Sequence, residues 1–257
     1  MSEERLQAYT VGEGYDLPSG GKIYDKPINP HIELRSMTAR DEMKRLNPTT
    51  TPLKSLADMI EGCIVGEKPA IHVYDMCLGD YDYLLHQLRI VTYGPDFKLT
   101  VRCPDCEKWF DATANLETLT LKDFDESAFE NLRSFNLPKS GKSVTLKFLT
   151  PRLMDEIDAK VKDMRRKLKA SGMDFNAYAK LITCIDLIDG NKLGILDLEN
   201  TINALPAADM IHILNNIDKL NQCIGLDNDF VLDCPECGGE VHTSFRYGPE
   251  FFRPTNI

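Results

Sequence analysis

Two short cysteine motifs constrain this chain more than any other feature of its sequence. Residues 103–106 read Cys-Pro-Asp-Cys and residues 234–237 read Cys-Pro-Glu-Cys, and each motif lies between two runs typical of β-strands. A tight turn between strands brings both of its thiols to one side, where they can bind the same ion. The sequence therefore predicts a four-thiolate site that holds one structural zinc ion per chain, with the ligands Cys103, Cys106, Cys234 and Cys237.

The separation of the two motifs is unusual, because Cys106 and Cys234 are 128 positions apart in the sequence. Either one ion joins two distant segments, or each motif pairs with something else, for which His242 is a candidate. A redox pair is a further alternative, but it is typically followed by a helix, and here a strand follows each motif. The other cysteines lack this spacing and are predicted to pack in the core: Cys63, Cys77, Cys184 and Cys223.

An internal duplication would explain the separation. Leu17 opens LPSGGKIY and Leu137 opens LPKSGKSV, and each Gly-Lys turn leads into a short strand, IELRSMT or VTLKFLT. Each strand ends at a threonine that begins a helix. Thr38 heads a capping-box sequence, and Thr150 precedes Pro151, which suits the first helical position.

The same order of elements continues in both halves. Helical segments with a Cys-Ile pair follow at 56–64 and 179–185, and further helices, which contain His86 and His212, follow at 79–94 and 206–222. A strand and a cysteine motif then close each half. This order predicts two similar halves about a pseudo-twofold axis with the zinc ion near it, and the alternative is a chance likeness of layout.

The predicted fold class is α+β, with two pseudo-repeated halves joined by a four-cysteine, zinc-ribbon-like site. Each half has the order turn, strand, helices, strand, cysteine motif. Phe251 and Phe252 near the end of the chain either pack on this chain or anchor a neighbour. The predicted segments are a flexible N-terminal segment 1–16, a first half 17–121, an acidic linker 122–136, a second half 137–246 and a C-terminal aromatic tail 247–257.

Composition and charge limit the classes of function. No apolar run is long enough to span a membrane, and the N-terminus does not resemble a signal peptide, so a reducing cytosolic compartment is expected. Forty acidic residues against 30 Lys and Arg give a net charge of −10, which disfavours nucleic acid and anionic lipid as partners. The basic end of the helix predicted at 151–170 is interpreted as a solvated face, with an acidic partner or nucleic acid as the alternative. No catalytic motif is present, so neither an enzymatic activity nor a small-molecule substrate is expected.

The ordered series LPSGGKIY, ELRSMTARDE, a helix with Cys-Ile, and GDYDYLLHQLRIVTYGPDFKLTVRCPDC resembles the baseplate-hub protein family of T-even-type contractile-tailed bacteriophages. The resemblance is best over residues 17–125 and looser from 137 onward. It implies a non-enzymatic structural or assembly component of the tail baseplate hub. The implied partners are other baseplate and tail hub proteins, and the implied locations are the host cytoplasm during assembly and the tail baseplate of the virion. The resemblance does not establish zinc, for which the cysteine spacing is the argument.

A zinc-ribbon nucleic-acid-binding regulator is the competing interpretation. The two cysteine motifs and the basic helix end favour it. The net charge and the scarcity of Lys and Arg around the motifs oppose it.

Overall fold

The computed structural model describes residues 12–47, 49–167, 174–244, 247 and 249–252. Within these residues the chain has eight α-helices and ten short β-strands, which confirms the α+β class. The chain divides into two compact units. Unit 1 contains the residues up to Val73, Asp82–Lys122 and the residues from Gly225 onward, and unit 2 contains Tyr74–Tyr81 and Asp123–Ile224.

Unit 1 begins with a three-stranded antiparallel sheet. Its strands are β1 (Glu13–Asp16), β2 (His31–Leu34) and β3 (Ile64–Val65), in the order β1-β2-β3. Helices α1 (Ala39–Arg45) and α2 (Pro52–Cys63) lie between β2 and β3 in the chain. The alternating residues of β2 and the apolar side of α2 supply the buried core of this sheet.

The start of α1 follows from its sequence. Thr38 is the N-cap: its Oγ1 accepts a hydrogen bond from the Asp41 N–H (3.4 Å), and Asp41 Oδ2 accepts one from the Thr38 N–H (3.0 Å). This is the predicted capping box. Arg35 donates to Asp41 Oδ2 as well (2.9 Å). Although burial opposes ionisation of Asp41, its hydrogen bonds to Thr38 and Arg35 lower its pKa.

Unit 2 contains a second three-stranded antiparallel sheet. Its strands are β6 (Ser134–Asn136), β7 (Ser143–Leu146) and β8 (Ile185–Ile188), in the order β6-β7-β8. Two helices lie between β7 and β8 in the chain, as two lie between β2 and β3. The helices of this unit are α4 (Glu126–Arg133), α5 (Pro151–Lys167), α6 (Phe175–Cys184), α7 (Ile195–Ala204) and α8 (Ala207–Gln222).

Most of the remaining elements belong to unit 1. Helix α3 (Leu78–Tyr93) starts in unit 2 and continues in unit 1 from Asp82. Four further strands follow, β4 (Asp96–Arg102), β5 (Trp109–Asn115), β9 (Asp229–Asp233) and β10 (Glu240–Ser244). Short 3-10 turns occupy Val73–Asp75, Leu116–Thr118 and Pro249–Phe252.

The Gly-Lys turn of unit 2 is held by a buried carboxylate. Asp209, in the first turn of α8, accepts hydrogen bonds from the backbone N–H groups of Lys139 (2.8 Å) and Ser140 (2.9 Å). These two N–H groups therefore already have an internal anion and are not available to bind a phosphate group. Asp80, at the corresponding position of α3, is also fully buried.

Several local predictions differ from the structure. Strand β1 lies inside the segment 1–16 that was predicted to be flexible, of which residues 1–11 lie outside the described part. The predicted linker 122–136 contains helix α4, whose Phe129 is completely buried. In both Cys-Ile pairs the cysteine ends a helix and the isoleucine begins a strand, β3 or β8. When α3 and α8 are aligned on their buried aspartates, Asp80 and Asp209, the histidines His86 and His212 do not fall at equivalent positions.

Candidate metal centre

Two β-hairpins of unit 1 carry the cysteine motifs. Hairpin I pairs β4 with β5 and ends at Arg102↔Trp109, and hairpin II pairs β9 with β10 and ends at Asp233↔Glu240. Exposed residues alternate with partly or fully buried ones along these strands, so each hairpin has one apolar face and one solvated face. The predicted order of strand, cysteine turn and strand is therefore present twice.

Both cysteine turns have the same backbone hydrogen bonds. In hairpin I the Cys103 N–H donates to the Lys108 carbonyl (2.9 Å), and the Glu107 N–H donates to the Cys103 carbonyl (3.0 Å). The corresponding bonds of hairpin II, 131 positions further along the chain, are 2.9 and 2.8 Å long. These bonds close each turn around the first cysteine of its motif.

The residue after the second cysteine has a left-handed backbone in each turn. It is Gly238 in hairpin II, with φ of 71°, and Glu107 in hairpin I, with φ of 61°. Glycine adopts this conformation without steric conflict, whereas a residue with a Cβ is strained there by roughly 1–2 kcal/mol. Arg102 contacts Glu107 twice, donating to its carbonyl (3.1 Å) and to its carboxylate (2.9 Å), and so helps to hold the strained turn.

The two turns bring all four thiols together. The Sγ atoms of Cys103 and Cys237 are 3.6 Å apart, those of Cys106 and Cys234 are 3.7 Å apart, and all four lie within 4.8 Å of one another. These separations exceed the roughly 2.05 Å of a disulfide bond. A tetrahedral ion with metal–sulfur distances of about 2.3 Å would place its sulfurs about 3.8 Å apart. The four cysteines therefore have the spacing needed to hold one metal ion.

A small apolar cluster supports the sulfur atoms. Cys103 and Cys234, the first cysteine of each motif, are buried, whereas Cys106 is half-buried and Cys237 is exposed. Phe110 and Val241 are buried beside the two inner cysteines. The partly buried side chains that pack against this cluster are Val101, Ala112 and Leu232. The alternation of both hairpins thus fixes which thiols face inward, since shifting a strand by one residue would turn its apolar set to solvent.

Hydrogen bonds to sulfur tune the acidity of the thiols. Burial opposes ionisation of Cys234, but the backbone N–H groups of Glu236 and Cys237 and the neighbouring thiols outweigh it and lower its pKa to about 7. The backbone N–H of Gly239 favours the Cys237 thiolate, yet the thiol of Cys103 and burial raise the Cys237 pKa to about 12. Without a cation the cluster therefore resists carrying several negative charges at once. A divalent cation bound by the four sulfurs would supply the compensating charge.

Two further contacts join the hairpins beside the sulfurs. Lys108 of hairpin I forms an exposed ion pair with Glu236 of hairpin II. A Cβ atom on Gly239 would lie 2.3 Å from Asp105 Oδ2 and 3.3 Å from Cys237 Sγ, so a larger residue at this position would require the Asp105 side chain to move. The sequence analysis did not predict either contact. The position of Glu236 within one motif and of Lys108 just after the other could have indicated the ion pair.

A short antiparallel neck joins the same two segments below the hairpins. Leu121 and Leu226 form a β-bridge, the Lys122 N–H donates to the Gly225 carbonyl (2.9 Å), and the Asp227 N–H donates to the Thr120 carbonyl (2.8 Å). In the chain, residues 123–224 lie between the two paired segments of this neck. The cysteine cluster and the neck therefore fasten together the two ends of a long insertion in unit 1.

The remaining cysteines are not part of the cluster. Cys63 and Cys184, each at the end of a helix, are completely buried, and burial raises their pKa values to about 11 and about 12. These thiols stay protonated and pack as small apolar groups, as predicted. His242 is an exposed residue of β10 and is not in the group of potential ligands found among the described residues.

The aromatic tail packs on its own chain. Phe251 and Phe252 are 2% and 0% exposed. Phe251 stacks on His86 of α3 (6.2 Å between ring centroids) and contacts Phe97 of β4 (5.3 Å). Burial lowers the pKa of His86 to about 4, so this imidazole is neutral at physiological pH. Of the two alternatives for the tail, packing on this chain is therefore correct, and it completes the core of unit 1 beneath hairpin I.

None of the described helices combines the length and the apolar character that a membrane span requires. No curated protein and no solved structure matches the chain. A family model described as T4 bacteriophage base plate protein matches residues 13–253, nearly the whole chain. The matched range covers both three-stranded sheets, both hairpins and all four clustered cysteines. The chain belongs to the T4 bacteriophage base plate protein family.

Proposed function

We propose that the chain is a non-enzymatic structural or assembly component of the tail baseplate hub. In this proposal it works by contacts with other hub and tail proteins, and one zinc ion per chain stabilises it. The observation that carries the zinc proposal is the convergence of four thiols from segments 128 residues apart. Membership of the base plate family supports the placement in the phage tail. The proposed place of assembly is the host cytoplasm.

Zinc is the metal that this donor set favours. Four thiolates at tetrahedral spacing suit Zn²⁺, whereas Mg²⁺ and Ca²⁺ prefer oxygen ligands. Cys103, Cys106, Cys234 and Cys237 would fill all four positions of a tetrahedral ion. No position would then remain for water or substrate, so the ion would serve a structural role.

The metal would act as a cross-link between the two hairpins. It would supply positive charge to four neighbouring thiolates and hold hairpin I against hairpin II above the neck. Each hairpin is a two-stranded sheet, and an isolated two-stranded hairpin is marginally stable in water. The apolar cluster under the sulfurs is small, so the cross-link would provide much of the cohesion of the pair.

We further infer that the two halves arose by duplication. The two three-stranded sheets have the same strand order, and two helices lie between the second and third strands of each. A buried aspartate occupies the first turn of both α3 and α8, and a cysteine hairpin follows each of these helices. Duplication would account for one cysteine motif in each half, and for a zinc-ribbon-like site that combines the two.

The charge of the hairpins weighs against the nucleic-acid alternative. Residues 96–117 and 227–244 contain ten acidic residues and three Lys or Arg, a net charge of −7. A zinc ion bound by four thiolates would add further negative charge. Phosphate backbones bind positive surfaces, so these hairpins would repel nucleic acid.

Affinity capture of the tagged chain during phage infection tests this function. We expect hub and tail proteins in the captured material and the chain itself in purified tails. The Cys234→Ser variant should capture less, and Cys223→Ser, a thiol outside the cluster, should capture as much as the unmodified chain. Recovery of polymerase subunits or nucleic acid without tail proteins would overturn the baseplate proposal. Metal analysis showing no zinc in the purified chain would overturn the zinc proposal separately.

A further inference from the structure

The solvated face of hairpin II carries two carboxylates directly opposite each other. Asp233 of β9 pairs in register with Glu240 of β10, and both side chains are exposed. Like charges facing each other across antiparallel strands are destabilising. Next to them on the same face are His242 and Val231, which is 49% exposed.

Nothing among the described residues neutralises this acidic pair. Lys108, the cation of hairpin I that contacts hairpin II, pairs with Glu236 instead. The equivalent cross-strand pair of hairpin I, immediately beside its cysteine turn, is Arg102↔Trp109 and has no such repulsion. The two hairpins are alike in their turns but differ in charge at this position, which points to a cationic partner for hairpin II.

The chain itself has a cationic surface of matching spacing. Lys162 and Arg165 near the end of α5 are exposed, and neither forms an ion pair with another described residue. The neighbouring cations Arg166 and Lys167 both bind Asp163 (2.7 Å each). Residues three apart on a helix have Cβ atoms about 5–6 Å apart. Directly opposed residues of an antiparallel pair have Cβ atoms about 4.5–5.5 Å apart.

We propose that the acidic face of hairpin II binds the end of α5 of a second copy of this chain. Lys162 and Arg165 of one copy would pair with Asp233 and Glu240 of the other. The aliphatic stems of the two cations would lie against the exposed Val231. This inference goes beyond the proposed function and requires no other phage protein.

The contact would join two different surfaces, hairpin II of one copy and the end of α5 of the other. In a pair of copies, one acidic face and one basic helix end would therefore remain unoccupied. Such heterologous contacts extend into closed rings or open chains rather than stopping at a symmetric dimer. Because the attraction would be between exposed charges, it would weaken with salt.

Charge reversal in two variants tests the pairing. Variant A carries Asp233→Lys and Glu240→Lys, and variant B carries Lys162→Glu and Arg165→Glu. The control carries Asp25→Lys and Glu67→Lys, two exposed acids elsewhere that give the same change of net charge as variant A. Sedimentation velocity of the full-length, zinc-loaded proteins at about 1–100 µM measures self-association.

We expect the unmodified chain and the control to self-associate, with affinity at least about tenfold lower at high salt than at low salt. Variants A and B should each be monomeric. Their mixture should associate again. The reversed, basic hairpin II of variant A can pair with the reversed, acidic α5 of variant B, and the acidic hairpin II of B can pair with the basic α5 of A. Circular dichroism and zinc content equal to those of the unmodified chain show that the variants are folded. A monomeric unmodified chain at low salt, association that survives in A or B, or a mixture that stays monomeric would each overturn the proposal.

Discussion

Replacing one cysteine in each hairpin tests whether the cluster is a single shared site. We predict that Cys103→Ser and Cys234→Ser lower the stability of the chain strongly and by similar amounts. Both thiols are buried, each is the first cysteine of its motif, and each belongs to a different hairpin. Removing either would abolish the same cross-link, so both variants should lose the one zinc ion per chain.

The magnitude follows from the length of chain that the cross-link closes. The ligand residues Cys106 and Cys234 are 128 residues apart. Closing a loop of that length in the unfolded chain is worth about 5 kcal/mol in the chain-entropy model. Zinc binding in small zinc-finger peptides is worth roughly 10–16 kcal/mol, which sets an upper bound. A loss of about 5 kcal/mol is comparable with the whole stability of many domains.

Chemical denaturation and metal analysis measure the two consequences. Denaturant titration of zinc-loaded protein gives the free energy of unfolding, and mass spectrometry of the metal content gives the zinc stoichiometry. Cys223→Ser is the matched control, because this half-buried thiol lies outside the cluster and donates to the Leu220 carbonyl (3.1 Å), a bond that serine can also form. We expect this control to keep one zinc ion and nearly all of its stability.

The shared-site model has a clear point of failure. If either Cys103→Ser or Cys234→Ser retained a full zinc ion and an unchanged unfolding midpoint, the two motifs could not be ligands of one ion. A strong loss in only one variant would indicate that each hairpin has separate partners.

Three other changes should have effects of known sign. Glu107→Gly should raise stability by about 1 kcal/mol, because it relieves the left-handed backbone, and Gly238→Ala should lower it by a similar amount; denaturant titration measures both. Phe251→Ala should cost about 3–5 kcal/mol in the same titration, since it empties a buried site, whereas Leu196→Ala, at an exposed residue, should change little. Zinc affinity, followed with a competing chelator, should fall as pH is lowered, because Cys237, with its pKa of about 12, must lose a proton to bind the metal and protons compete for it at low pH. Zinc retention that does not depend on pH would contradict this reasoning.

The features that could be predicted from the sequence have short-range causes. The cysteine turns depend on residues within six positions, and the start of α1 depends on Thr38 and a partner three residues later. The convergence of the two motifs was predicted only because four-coordinate zinc needs four ligands and each motif supplies two. In these cases the chemistry of a few neighbouring residues determines the local structure.

The features that were missed depend on distant partners. Strands β1 and β6 are only four and three residues long, and they exist because β2 and β7 pair with them. Such short runs carry no periodicity that distinguishes a strand from a loop. The burial of Phe251 depends on His86 and Phe97, which lie more than 150 positions away. No local pattern separates an aromatic tail that packs on its own chain from one that binds a neighbour.

The position of the ligands along the chain also constrains the order in which unit 1 can be completed. Hairpin I is synthesised more than a hundred residues before hairpin II, and the buried Phe251 and Phe252 come later still. Two thiolates alone cannot enclose a tetrahedral ion, so a zinc ion bound as proposed could not gain all four ligands until residue 237 has been made. By then residues 123–224 have all been synthesised, and their folding into unit 2 would shorten the disordered loop that a bound metal would close. If the four cysteines bind zinc as proposed, metal binding would therefore be a late step of folding, which fastens the two hairpins of unit 1 after residues 123–224 have been made.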